Sequence, residues 1–428
     1  MSDKKELELY FHIPFCVRKC FYCDFLSAPG DEKTKKRYME ALLTETVGSA
    51  FQYEAYRVVS VFIGGGTPSA VPPACIGELM AAVRGSYDMA EDAEVTIEVN
   101  PGTVSGEGFR VFREAGINRL SIGLQSGDDR ELAAIGRIHT WAQFQETFRK
   151  ARQAGFANIN VDIMSALPGQ TLSEYRNTLE KVLSLEPPPE HISAYSLILE
   201  EGTLLYRQHE SGELELPDED TDREMYQETK RILESHGYKR YEISNYAKKG
   251  YRCRHNCGYW QRKNYAGFGI GAASLVENVR FRNGDGLKDY LENPLGCRED
   301  VQELSRGEQM EEFMFLGLRM TEGVESGAFR RQFGCAMEEV YGEVIRKNRE
   351  DGLLRYLAGE EENPARGTPA VCGMEREFSG ENGCREAPAV CGMEREFSGE
   401  NAPGDTLRLA LTDRGLDVSN YVMAQFLN

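Results

Sequence analysis

Six short β-rich runs, each but the last followed by a stretch of helical composition, occupy the first two hundred residues. No other feature of the chain narrows its fold as much. The runs lie at residues 7–12, 58–63, 94–99, 118–122, 158–163 and 191–197, and the helical stretches at 34–48, 75–84, 106–115, 141–154 and 172–185. Gly and Pro punctuate the joins. Strands separated by helices of this length are joined by crossovers, which makes them parallel neighbours in an α/β sheet. In such folds functional groups collect at the C-terminal ends of the strands. The Gly-rich and polar segments here follow the strands directly.

The pattern changes after about residue 205. An acidic linker is expected at 213–222, a helix at 223–235, a loop rich in Tyr, Asn, Cys and Gly at 241–274, and helices at 308–320 and 336–348. A strand at 406–411 and a helix at 412–426 complete a smaller α+β domain. The expected division is thus 1–205 and 206–428. The string PAVCGMEREFSGEN occurs at 369–382 and again at 388–401, within a Gly-, Glu- and Pro-rich stretch from 359 to 405. Two copies are too few for a solenoid, so the stretch reads as a duplicated surface insertion. Its cysteines, Cys372, Cys384 and Cys391, fit no common metal-ligand spacing.

Charge and cysteine usage exclude some classes. With 69 acidic against 50 basic residues the formal charge is −19, which argues against sequence-independent nucleic-acid binding. No run of about 18 apolar residues is present, so no membrane span is expected. The first residues carry no apolar signal core, and a cytoplasmic location is expected. Eleven cysteines in that setting are expected to be reduced thiols, and a tight cluster of them points to metal or catalysis.

Such a cluster is HIPFCVRKCFYCDF at 12–25, where Cys16, Cys20 and Cys23 follow the first strand as C-x3-C-x2-C. Three thiolates on one short loop can hold an iron–sulfur cluster and leave one iron of a cubane without a protein ligand. A zinc site would need a fourth ligand, with His12 the nearest candidate. The spacing, with an aromatic before the last cysteine, resembles the radical S-adenosylmethionine (SAM) superfamily. The full string resembles its oxygen-independent coproporphyrinogen III oxidase-like branch. That resemblance implies an open, partial (β/α)6 TIM-like barrel as the core, a [4Fe-4S] cluster on the three cysteines, and SAM chelated at the unique iron.

Further positions match the family in order. Tyr10 and Tyr22 match residues that contact the cofactor. Gly64, Gly65, Gly66, Thr67 and Pro68 resemble the loop that holds the methionine end of SAM. Glu98, Gln125, Arg137 and Asp162, each at or just after a strand end, resemble further SAM contacts. Carboxylates suit hydroxyls and an ammonium group, and Arg suits a carboxylate. Ala166 departs from the family, which usually has Gly before LPGQ.

Two features choose the branch. Phe25 stands where the oxidases carry a further cysteine, and residues 255–260, HNCGYW, resemble the HNxxYW motif of the heme-chaperone branch. The resemblance implies heme binding and delivery to heme-accepting proteins such as respiratory enzymes, and it favours a carrier over an enzyme. His255 would be an axial ligand, Asn256 would orient it, and Tyr259 and Trp260 would pack on the porphyrin. Residue types alone favour a satisfied loop histidine and Trp260 as a core anchor; the six-residue match in its family context favours heme. Cys253 and Cys257, flanking His255, read as ordinary thiols, and Ala273 stands where many relatives carry His. The alternative is a radical enzyme that decarboxylates coproporphyrinogen III. A radical enzyme acting on tRNA would need a basic appended domain that the acidic balance does not supply.

Overall fold

The computed structural model describes residues 4–358 and 407–427. The duplicated stretch at 359–405 and Thr406 lie outside the described residues. Six strands, β1 (Lys5–Ile13), β2 (Tyr56–Gly65), β3 (Met89–Val99), β4 (Arg119–Gln125), β5 (Ile159–Ser165) and β6 (His191–Ser196), pair in sequence order and are all parallel. The helices between them are α1 (Glu32–Ser49), α2 (Pro73–Ser86), α3 (Gly106–Glu114), α4 (Asp129–Ala134), α5 (Trp141–Gln153) and α6 (Leu172–Leu183). The expected alternation is present, with the short α4 added.

The strands show why the arrangement is an open barrel. Along β1, Leu7, Leu9, Phe11 and Ile13 point to one face and are fully buried. They meet helix residues such as Leu42, Leu79 and Phe109 in one hydrophobic core. The alternate residues, Glu8, Tyr10 and His12, point to the other face, as the period of two requires. Register carries that polar face across the sheet: Glu8 pairs with Ser60 and Ser60 with Glu94, while Ser121 pairs with Asn160 and Asn160 with His191. The inner wall is therefore polar, and it surrounds a cavity rather than a packed interior.

The chain then leaves the alternation through α7 (Leu204–Glu210) and α8 (Glu219–Ser235). The acidic residues assigned to a linker belong partly to α8: Asp218 caps its N-terminus by accepting from Thr221 N, and Glu219, Asp220 and Asp222 occupy its first turn. Acidic side chains stabilise that positive end of a helix dipole. Two short strands, β7 (Lys239–Arg240) and β8 (Asn245–Ala247), extend the sheet beyond β6. The stretch expected as a loop also contains the helix α9 (Arg254–Trp260), so HNCGYW is helical. Next, β9 (Tyr265–Phe268) pairs parallel with β1, followed by β10 (Ala273–Val276), β11 (Val279–Asn283), the helix α10 (Leu287–Glu292) and β12 (Arg298–Glu303). The result is one open sheet of twelve strands with β12 and β7 at its edges.

A second hydrophobic core, containing Met314, Phe329, Met337, Leu354 and Leu411, belongs to a smaller C-terminal unit. Its helices are α11 (Arg306–Gly317), α12 (Ser326–Phe333) and α13 (Met337–Glu350), and a three-stranded sheet of its own lies among residues 324–411. The terminal helix expected at 412–426 is two, Asp413–Asp417 and Ser419–Ala424, broken at Val418. No helix among the described residues is long and apolar enough to cross a membrane.

Candidate functional site

The site is built from residues that the strand ends and one helix bring to a common cavity of about 480 Å³. That size falls within the range of small-molecule and cofactor sites. Of the expected cluster, SAM and heme residues, all but Gly64, Pro68 and Trp260 line it.

Cys16, Cys20 and Cys23 form one side. Their loop is tied down by backbone bonds from Phe21 N to Ile135 O and from Cys16 N to Ala28 O, and by Arg18 Nη2 donating to Gly136 O. Among the described residues no three His, Cys, Asp or Glu side chains gather closely enough for a single metal ion. His12 is no fourth ligand: Nδ1 is 3.1 Å from Tyr10 Oη and Nε2 is 2.8 Å from Leu26 O. The zinc alternative therefore lacks its fourth donor. Three half-buried thiols facing one cavity, with no other ligand beside them, fit the donor set of a cubane with one open iron.

The glycine run after β2 lies against this loop. Gly65 adopts φ +121°, and a Cβ there would sit 2.9 Å from the His12 ring, so only glycine fits. A Cβ on Gly66 would sit 3.0 Å from Cys16 Sγ. Thr67 Oγ1 lies 3.4 Å from Cys16 Sγ and accepts from Asn100 Nδ2 at 2.7 Å. Asn100 also receives Arg137 Nη2 at 2.8 Å, and Arg137 reaches Cys20 Sγ at 3.7 Å and the Gly123 carbonyl. Arg137 Nε keeps no partner in the structure.

Two carboxyls face the same space. Burial, then the neighbouring Asp162, pushes Glu98 up to about 8, against the pull of the Gly65 N–H it accepts at 3.1 Å. Burial also raises Asp162, which accepts from Asn160 Nδ2 at 2.7 Å and Ser121 Oγ at 3.3 Å. Gln125 holds φ +76°, a left-handed conformation unusual for its type, and accepts from Tyr195 Oη at 3.1 Å. Ala166, where the resemblance led glycine to be expected, keeps a left-handed φ of +55°. Its side chain thus costs about 1–2 kcal/mol without redirecting the chain.

Two buried acids, of which Asp162 is partly offset by the Arg119 guanidinium, and one guanidinium with a free N–H match a ligand that is cationic at one end and a carboxylate at another. The acids also carry an unmet cost. An acid with a raised folded-state pKa loses stability as pH rises from its unfolded value, 4.5, to its folded value, about 8. Glu98→Gln is therefore expected to stabilise the ligand-free protein by about 1–3 kcal/mol at pH 8. Its advantage over wild type should grow between pH 4.5 and 8 and level off above, with SAM affinity lost. Urea unfolding at several pH values with a parallel SAM titration checks both; a destabilised Gln variant at pH 8 contradicts it.

The far wall of the cavity comes from α9. Its N-cap residue, Cys253, offers no capping side-chain bond to the helix. The cap comes from inside the barrel: Glu94 on β3 accepts from Arg254 N at 3.1 Å, His255 N at 3.2 Å and Cys253 Sγ at 3.5 Å. This seats His255, Asn256 and Tyr259 on the cavity. Glu94→Ala leaves these buried donors without an acceptor and is expected to cost about 2–4 kcal/mol, read as a lower urea midpoint at unchanged slope.

His255 is buried, stacked on Phe62 with ring centroids 5.2 Å apart, and engaged at both nitrogens: Nδ1 is 2.8 Å from Ser60 Oγ and Nε2 is 3.0 Å from Tyr259 Oη. Burial, then the Arg119 guanidinium, lowers its pKa to about 3, so the ring is neutral. Trp260 turns away from the cavity. It lies under the Arg319 guanidinium at 4.2 Å and lines a separate cleft with Phe313 and Val324 of the C-terminal unit. The motif is thus divided: three of its residues face the cavity, and its Trp faces the neighbouring unit. Asn100, Glu94, Ser60 and Tyr195 were not singled out in the sequence. The available signal was strand alternation, since Glu94 lies four residues before Glu98 on the same face of β3.

An open parallel barrel with three thiols after β1, a glycine turn after β2, an acid at the end of β3 and another in the middle of β5, both facing the cavity, is the architecture of a radical SAM protein. The model of the Radical SAM superfamily matches residues 10–182, and that of the HemN C-terminal domain matches residues 304–359. The chain is 38% identical over 343 residues to "Heme chaperone HemW" of Lactococcus lactis, spanning 80% of this chain and 89% of that protein. It is 38% identical to the Bacillus subtilis protein of the same name, over 81% and 92% of the two chains. The chain belongs to the HemW family. Its fold is that of coproporphyrinogen III oxidase (HemN) from Escherichia coli, with a TM-score of 0.77 over 99% of this chain and 91% of that one at 19% identity.

Proposed function

We propose that this chain is a cytoplasmic heme chaperone: it binds heme through His255, carries a [4Fe-4S] cluster with SAM beside it, and passes heme to acceptor proteins. The observation that carries the reading is the placement of His255, a neutral imidazole, on the same cavity as the three cysteines. A neutral imidazole is the form that ligates iron. The names of its relatives support the same assignment.

When bound, the cluster supplies an open coordination position for the methionine end of SAM. Within this reading the chain's own residues then divide the work. Cys16, Cys20 and Cys23 hold the cluster. Gly65, Gly66 and Thr67 line SAM's methionine end, and Arg137 pairs with its carboxylate. Glu98 and Asp162 take ammonium and ribose hydroxyl groups, and Tyr10, Tyr22 and Gln125 complete the enclosure. Asn256 and Tyr259 sit beside His255, with Tyr259 Oη covering Nε2 until heme displaces it. Trp260 leaves the porphyrin contact to Tyr259 and anchors α9 against the C-terminal unit.

The test separates a carrier from a porphyrinogen decarboxylase. Reconstituted protein is incubated anaerobically with dithionite, SAM and coproporphyrinogen III, and products are followed by mass spectrometry; a parallel sample is titrated with heme and read at the Soret band. A saturable complex of about one heme per chain without decarboxylation is expected. Multiple turnovers of decarboxylation would overturn the carrier reading.

A further inference from the structure

Behind His255 stands a carboxyl with no evident structural task. Glu8 is 1% exposed, its Oε2 has no hydrogen-bond partner, and that oxygen lies 3.9 Å from His255 Nδ1. An uncompensated buried carboxyl is costly, so its persistence calls for a reason. Its position is specific. β1 delivers Glu8 opposite Ser60 in the register of the sheet, and Ser60 is the residue bonded to His255 Nδ1. Gly258 of α9 makes the room: a Cβ there would overlap the Glu8 carboxyl. The motif helix is thus packed directly onto this acid.

We propose that Glu8 is a positioning residue for heme ligation, the terminal acceptor of a chain running His255 Nδ1–H to Ser60 Oγ and Ser60 O–H to Glu8. The inference rests on the heme-carrier reading above. An imidazole that offers its Nε2 lone pair to iron carries its proton on Nδ1 and must donate it. Ser60 accepts that proton and has one O–H left to give, and Glu8 is the acceptor behind it. Burial pushes the Glu8 carboxyl up to about 8, and a carboxyl oxygen accepting at the end of such a chain fixes the ring's orientation and raises its strength as a ligand. On the other side, Tyr259 Oη lies 3.0 Å from Nε2, and in the tautomer proposed here it donates to that nitrogen before iron arrives.

The test uses the full chain with its cluster reconstituted. Glu8→Leu and Ser60→Ala are each expected to weaken heme binding about 10- to 100-fold, with cluster content unchanged. Both should raise the Fe(III)/Fe(II) potential of bound heme, because an imidazole that has lost the acceptor chain behind its Nδ1–H is a weaker donor and stabilises the ferric state less. Ser60→Thr, which keeps the hydroxyl, should restore affinity. Glu8→Gln keeps the shape and an acceptor oxygen, and should bind heme nearer to wild type than the leucine variant does. Since the two residues act in series, the Glu8→Leu/Ser60→Ala double variant should bind no worse than the weaker single. Wild-type affinity and potential in Glu8→Leu, a Glu8→Gln variant as weak as the leucine one, or additive losses in the double variant, overturn the proposal while leaving heme binding by His255 intact. Full heme binding by His255→Ala is the separate result that removes the underlying reading.

Discussion

Replacing Cys16, Cys20 and Cys23 together by serine is expected to give a folded protein with no iron–sulfur absorbance and no bound iron. The expectation rests on where the thiols sit. They belong to a loop beyond β1, are half-buried, and take no part in the hydrophobic cores. The loop is held by Phe15 in the main core and by backbone bonds to Ala28 and Ile135, all of which serine leaves in place. Surface-loop changes of this size usually shift stability by about 0.5 kcal/mol or less. Far-ultraviolet dichroism and the urea midpoint should match wild type measured without its cluster. Among the described residues no other side chains stand ready to take over: His12 is engaged at both nitrogens, and no His, Cys, Asp or Glu trio gathers for a metal ion. Residual cluster at half the wild-type iron content would show that another set of ligands holds it.

His255→Ala is expected to abolish measurable heme binding, a loss larger than the roughly 10- to 100-fold that removal of an outer partner costs. Cluster content should stay near wild type, because His255 and the cysteines occupy different walls of the cavity. The variant also removes the histidine partner of Ser60 Oγ and Tyr259 Oη and opens space beneath Phe62. A stability loss of about 2–4 kcal/mol is therefore expected alongside. His255→Gln, which fills much of that space and keeps hydrogen-bonding groups, separates the two effects: it should recover stability and still fail to bind heme. A wild-type Soret spectrum and stoichiometry in the alanine variant would remove His255 as the ligand.

Much of this was legible in the chain itself. The six strands were visible because a residue buried against helices alternates with one facing the cavity, a period of two that is written locally. The glycine turn at residues 64–66 was visible because only glycine tolerates φ +121° against the His12 ring. The cysteine loop was visible because its three ligands lie within eight residues of one another. Local order of this kind depends on neighbours in sequence, so sequence displays it.

The rest was decided by tertiary structure. The helix α9 is too short to hold itself in water, and its N-terminus is capped by Glu94 from another strand; nothing within residues 241–274 records that partner. The acidic run before α8 looked like a linker because charge alone does not separate solvated chain from the first turn of a capped helix. The separation of Trp260 from His255, and the meeting of His255 with Ser60 and Glu8, depend on which way a helix faces once packed. The sequence by itself determined the parallel core, the cysteine loop and the cavity-facing polar residues of the strands, because each is specified by adjacent residues. Only the fold decided what stands behind and beside the motif histidine, because those contacts join residues as far apart as 8 and 255, and no local pattern carries their geometry.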